Sequence, residues 1–159
     1  MRRRPFHSTL FLFAAACWGL CLNSVVLAAD PESWPTSRGA PESHGYSPST
    51  MPQALGELWK YEVADGSFEA TPIVAAGNVF ACDVDGGIHC LRLNSGDVVW
   101  TNQRDTGYLA AAAWQDGRLV AVDYDGFVTC FDATDGKQLW QFETRGQIDG
   151  GANFYKDMT

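Results

Sequence analysis

The residues able to do chemistry fall into three groups. Two acidic turns repeat along the chain, Asp83-Val84-Asp85-Gly86 and Asp123-Tyr124-Asp125-Gly126. Spaced carboxylates closed by glycine resemble the opening of a calcium loop, but such a loop needs a further ligand two positions on and a bidentate Glu at position twelve. Position twelve here is Asn94 in one case and Thr134 in the other, so both segments read as turn formers. Cys82, Cys90 and Cys130 show no Cys-x-x-Cys or Cys/His spacing of the kind that assembles zinc. They read as small core residues, with any pairing among them left open. His44 and His89 have no partner at ligand or triad spacing and read as surface or satisfied strand residues. No catalytic, cofactor-binding or metal-ligating residue is assigned, and no cofactor is expected.

The N-terminus carries an address. Arg2, Arg3 and Arg4 precede an apolar stretch from Leu10 to Leu22, and Val26-Leu27-Ala28-Ala29 supplies small residues for cleavage. This is the pattern of a signal peptide, and the apolar run is too short to cross a bilayer. Residues 1–29 are expected to leave, taking His7, Cys17 and Cys21 with them; a lipoprotein attached through Cys17 is the minor alternative. Three arginines leave and no acid does, so the formal charge moves from −8 to −11. A chain that acidic is a poor match for nucleic-acid phosphates or an anionic membrane. The product is expected in the periplasm or secreted, without stable membrane insertion. Three thiols in an oxidising compartment do not make a complete disulfide framework.

The elements that must position these groups come from a repeat. Residues 30–57 are rich in Pro, Ser and Gly and read as an extended lead-in, whereas residues 58–159 are self-similar. Trp59, Trp100 and Trp140 recur at spacings of 41 and 40 residues. Gly77–Trp100 overlays Gly117–Trp140 without a gap, with eight of 24 positions identical, among them Gly86/Gly126, Cys90/Cys130 and Gly96/Gly136. Average composition would give roughly one or two matches.

In the second unit the expected strands are Tyr108–Gln115, Arg118–Tyr124, Phe127–Asp132 and Lys137–Thr144, separated by Asp-Gly hairpin signals. The second strands, Val79–Cys82 and Leu119–Val122, are apolar on both faces, which requires sheets covered on both sides. Four-stranded sheets recurring about every 40 residues, each sandwiched by the next, predict an all-β, incomplete β-propeller of antiparallel blades. The expected layout is a lone strand Leu58–Val63, blades at about 64–103 and 104–144, and a third unit starting at Gln147–Tyr155 and running to 159.

The most specific stretch is Cys130-Phe131-Asp132-Ala133-Thr134-Asp135-Gly136-Lys137-Gln138-Leu139-Trp140. It resembles the tryptophan-docking motif of the pyrroloquinoline quinone (PQQ) type propeller repeat, Ala-x-Asp-x-x-Thr-Gly-x-x-x-Trp. Asp132, Gly136 and Trp140 match, while Cys130 stands at the Ala position and Asp135 at the Thr position. The preceding unit keeps Gly96 and Trp100 but has Cys90 and Arg92 at the Ala and Asp positions. Trp34-Pro35 with Arg38-Gly39 looks like the short lead-in of such propellers. The resemblance implies that the tryptophan lies between blades with its N–H bonded, and that the Asp and Gly fix the hairpin.

The family implied includes quinoprotein dehydrogenases and non-catalytic envelope proteins. A PQQ dehydrogenase gathers a calcium site and an Asp base from several blades, so Asp132 or Asp149 could be nominated here only by analogy of fold. A closed propeller needs roughly four to eight blades, and two complete blades leave two apolar faces open. At ~400 Å² each, such a face forfeits on the order of 10 kcal/mol. The expectation is a truncated piece of a longer propeller rather than a self-assembling ring. Its role is expected to be non-enzymatic scaffolding or binding at the cell envelope, through a protein partner or self-association of open blade faces. The alternative is a remnant of a PQQ-dependent dehydrogenase.

Overall fold

The computed structural model describes residues 33–64 and 66–155; the expected leader lies outside them, as do residues 156–159 of the third unit. The regular structure of the described residues is all β. Among them no helix is long and apolar enough to cross a membrane. Strands β1 (Ile73–Ala75), β2 (Asn78–Cys82), β3 (Gly87–Arg92) and β4 (Val98–Gln103) form one antiparallel sheet in sequential order. Strands β5 (Ala113–Gln115), β6 (Arg118–Val122), β7 (Phe127–Asp132) and β8 (Gln138–Glu143) form a second.

The two sheets are copies in register as well as in sequence. Cys90 faces Trp100 across β3 and β4, and Cys130 faces Trp140 across β7 and β8; in both sheets the ladder slips at the next residue. A bulge at that point re-aims the following side chains. A large indole opposite requires a small partner, which is why a thiol takes the Ala position of the motif.

Burial on both faces is visible residue by residue. Leu119, Ala121 and Phe131 join Phe80, Ile88 and Trp100 in the core between the sheets. Their strand neighbours Val120 and Cys130 point the opposite way and pack with Ala113 and Phe154. Alternation with period two therefore separates two cores rather than a core from water.

Three segments depart from the expected strands. Only Ala113–Gln115 of the Tyr108–Gln115 run is in a strand ladder; before it Tyr108, Ala110, Ala111 and Ala112 are buried while Leu109 is exposed. Leu58–Val63 carries no ladder: no neighbouring strand among the described residues offers it edge groups. Gln147–Tyr155 is likewise unpaired, yet it packs on the second sheet through Phe154 and an Ala152 N–H bond to Ala111 O.

The lead-in is more than a tether. Trp34 exchanges two backbone bonds with Val74 (2.6 and 2.9 Å), Pro35 O accepts from Trp114 N–H (2.8 Å), and Pro41 O accepts from the Asn153 amide (2.9 Å). One short stretch thus ties both first strands and the start of the third unit together along one edge.

Candidate functional site

Two features qualify as sites: a repeated tryptophan dock, and a polar relay found on the first blade and not on the second.

The dock is built from the turn after each third strand. In the second sheet Asp132 Oδ1 accepts from the Thr134 N–H (2.8 Å) and hydroxyl (2.6 Å), and Gly136 N–H donates to Asp132 O. These Thr134 bonds draw the Asp132 carboxyl below its ordinary value. The turn so fixed presents the Ala133 carbonyl and the bare backbone of Gly136. Trp100 Nε1 donates to Ala133 O at 3.0 Å while its ring lies on Gly136, and the Asn102 amide donates to Gly136 O. A β-carbon at Gly136 would stand inside the indole.

The same dock recurs one unit earlier. Trp59 Nε1 donates to Leu93 O at 2.8 Å, and its ring lies on Gly96. Leu93 and Gly96 are the repeat counterparts of Ala133 and Gly136. The structure brings Trp59 with Gly96, and Trp100 with Gly136, into these two docks, with Asp132 in the turn of the second. Trp140 differs, since it is 47% exposed where Trp100 is 9% exposed. Every residue of β8 is exposed, and a hollow of about 450 Å³ lined by Val120, Val128, Cys130, Trp140 and Phe154 opens beside it.

The acidic turns act as turns. Asp83 Oδ1 accepts from Asp85 N–H and Gly87 N–H (2.9 and 2.8 Å), and Asp123 Oδ1 accepts from Phe127 N–H (2.9 Å). Gly86 and Gly126 hold φ of +91° and +92° at the following bend. Among the described residues no three His, Cys, Asp or Glu side chains converge as metal donors. Among the described residues these carboxylates therefore do not assemble a donor set for calcium, and no step through that ion follows.

Of the two readings made for His89, surface or satisfied strand residue, the structure shows the second: it lies in β3, is 7% exposed and is bonded at both ring nitrogens, to Asp83 Oδ2 at 2.7 Å and to the Tyr61 hydroxyl at 2.9 Å. A carboxylate only accepts, so Nε2 carries the hydrogen; in the neutral ring Nδ1 then accepts from Tyr61. Tyr61 and Phe68 also pack on the imidazole at centroid distances of 5.3 and 5.6 Å. The second sheet has Thr129 at the matching position and folds the same way, so the blade itself does not require the relay. Repeat comparison exposes the His/Thr difference, but Tyr61 is 28 residues away in an unpaired segment and no spacing rule reaches it.

Burial pushes the Asp83 carboxyl up, and the bonds from His89, Gly87 and Asp85 more than offset it, leaving it below its ordinary 3.8. A depressed carboxyl contributes stability that is complete above its unfolded value and is lost as pH falls through the lowered one. Asp83→Asn should therefore lower stability at pH 7 and flatten the acid limb below about pH 4. Urea unfolding at pH 7, 4 and 3 checks this, and parallel curves for the two proteins would refute it. The three thiols are buried and unpaired. Desolvation pushes Cys82 up to about 12 and Cys90 to about 11, which makes them packing groups rather than nucleophiles.

Residues 53–153, well over half of the chain, match the PQQ-type family model described as outer membrane protein assembly factor BamB. The chain belongs to the PQQ-like β-propeller family. Within that family it is 28% identical over 142 residues to a 1-butanol dehydrogenase (cytochrome c) of Thauera butanivorans, covering 79% of this chain and 20% of the relative. It is 30% identical over 110 residues to the outer membrane protein assembly factor BamB of Bordetella pertussis, covering 65% and 28%. The solved quinohemoprotein alcohol dehydrogenase ADHIIG of Pseudomonas putida superposes with a TM-score of 0.70 at 22% identity, over 80% of this chain and 22% of that one. That likeness shows the propeller fold. The chain thus spans under a third of the length of each of these PQQ-like relatives.

Proposed function

We propose that the chain is an exported, non-enzymatic PQQ-like β-propeller protein that scaffolds or binds another protein at the cell envelope. The observation that carries this reading is the exposed outer face of the second blade. Trp140 and Phe142, opposite Cys130 and Val128, stand out from β8 at 47% and 63% exposure, beside an apolar hollow that Cys130, Val128 and Trp140 line. The two filled docks state what such a face accepts: a blade edge presenting a carbonyl and a glycine beneath an indole. Apolar area of this kind on one continuous surface marks a place for a protein. Its acidic charge weighs against nucleic acid as the partner.

The engagement of the acidic side chains in turns supports the non-enzymatic part of the reading. The resemblance to alcohol dehydrogenases keeps a second reading in view, a remnant of a PQQ-dependent enzyme. One assay separates them. The purified chain supplied with PQQ, calcium, 1-butanol and an artificial dye acceptor should reduce no dye above a protein-free blank. Turnover that disappears on removing PQQ would overturn the proposal. Export is checked by fractionating cells that express the full chain, where retention of an uncleaved product in the cytoplasm would refute it.

A further inference from the structure

The first blade departs from the repeat motif at one position, and that departure frees a charged side chain. In the second blade the Asp132 carboxylate is spent on Thr134 and so fixes the turn before Gly136. Arg92 stands at the matching position of the first blade. Its backbone repeats the turn, since Gly96 N–H donates to Arg92 O at 2.9 Å as Gly136 N–H does to Asp132 O. The side-chain part passes to Ser95, whose hydroxyl donates to Asp97 Oδ2 at 2.7 Å. The Arg92 guanidinium is released from the turn and forms no ion pair among the described residues.

The released side chain lines a cleft of about 310 Å³ between the two blades. Asn78 and Phe80 of β2 and Val99 of β4 contribute from the first sheet, and Trp114 of β5 from the second. Two polar atoms of this lining are shielded from solvent and meet no protein partner, the Trp114 indole N–H and Asn78 Oδ1. The Asn78 amide nitrogen already donates to Ala76 O at 3.2 Å, so its oxygen is left to accept. Buried donors and acceptors are ordinarily matched, and an unmatched pair in one cleft calls for a reason. Charge points the same way. In a chain with 19 acidic and 11 basic residues, no acid lines this cleft and Arg92 is its one charged residue.

We propose that the cleft binds a small organic carboxylate with an apolar body and one hydrogen-bond donor. Arg92 and the Trp114 N–H match the carboxylate, Asn78 Oδ1 matches the donor, and Phe80 and Val99 match the apolar body. A guanidinium and an indole N–H only donate, a carboxylate only accepts, and an amide oxygen accepts. A few polar groups set among apolar walls are the usual make-up of a small-molecule site. The cleft shares no lining residue with the hollow beside β8, so this site and the protein-docking reading fail separately.

The test is a titration of the nitrogen-15-labelled full chain with 4-hydroxybenzoate, which carries a carboxylate, an apolar ring and a hydroxyl. The Trp114 indole N–H resonance, assigned by its loss in Trp114→Phe, should shift and saturate. Phenol lacks the carboxylate and benzoate lacks the donor, and each should bind at least about tenfold more weakly. Arg92→Asp gives the first blade the residue that Asp132 supplies in the second. It should keep the dispersed spectrum of the folded chain and weaken binding at least about tenfold, and Arg92→Gln serves if that variant does not fold. Asn78→Ala should erase the preference for 4-hydroxybenzoate over benzoate. Absence of a saturable shift at Trp114 overturns the proposal. Phenol binding as tightly as 4-hydroxybenzoate, or folded Arg92 variants binding like wild type, overturns it too, since either would show an apolar cleft that does not recognise a carboxylate. A preference that survives Asn78→Ala overturns the assignment of the donor to Asn78.

Discussion

Trp100→Ala should destabilise the chain by about 3–5 kcal/mol, whereas Trp140→Ala, at the same position of the next repeat, should cost about 1 kcal/mol or less. The motif is identical; the surroundings are not. Trp100 is 9% exposed, donates to Ala133 O, covers Gly136 and packs on Phe80 at a centroid distance of 6.0 Å. Its removal opens a cavity in the core shared by the two sheets and leaves the Ala133 carbonyl short of a donor. Trp140 is 47% exposed, and much of its ring gains nothing from folding. Urea unfolding of the two variants at pH 7 measures the difference. Equal losses would mean that the indole acts within its own hairpin and that blade-to-blade stacking contributes little.

The second large effect is at a bend. Gly86→Ala should cost about 3 kcal/mol or more, against about 1 kcal/mol for Gly117→Ala. Both glycines have positive φ, +91° and +77°, so both substitutions meet the same backbone penalty. They differ in what lies beyond. A β-carbon at Gly117 finds open space, while one at Gly86 would press into the carbonyl oxygens of Arg104 and Thr106. Those carbonyls belong to the connector between the blades, and Arg104 N–H already bonds to Gly86 O at 2.9 Å. Gly126 stands in the same relation to Gly146. Relief would require shifting one blade against the next. Thermal unfolding should place the two variants about 10 °C or more apart, and coincident midpoints would show that the connector yields freely.

Most of the architecture was legible in the chain because its determinants are local. An apolar run on both faces over Leu119–Val122, a glycine able to take positive φ after Asp125, and an Asp-x-Thr turn before Gly136 each act within a few residues. Repeating them about every 40 residues multiplies the signal. Strand limits failed where local preference met a missing neighbour. Leu58–Val63 has the pattern of a fourth strand, but edge hydrogen bonds need a partner, and its aromatic side chains Trp59 and Tyr61 settle on the first blade instead. The lead-in was underestimated for the converse reason: Trp34 and Pro35 carry no periodicity, and the partners of their backbone groups are Val74 and Trp114.

From composition and order alone come the unit, its turns and the docking tryptophans, since all follow from side-chain size, repeat spacing and hairpin geometry over short spans of chain. Packing in three dimensions decided which docks are filled, that His89 bridges Asp83 and Tyr61, and that Trp140 faces water. Those facts depend on which surfaces meet, and a meeting between residues distant along the chain leaves no mark on the spacing of either.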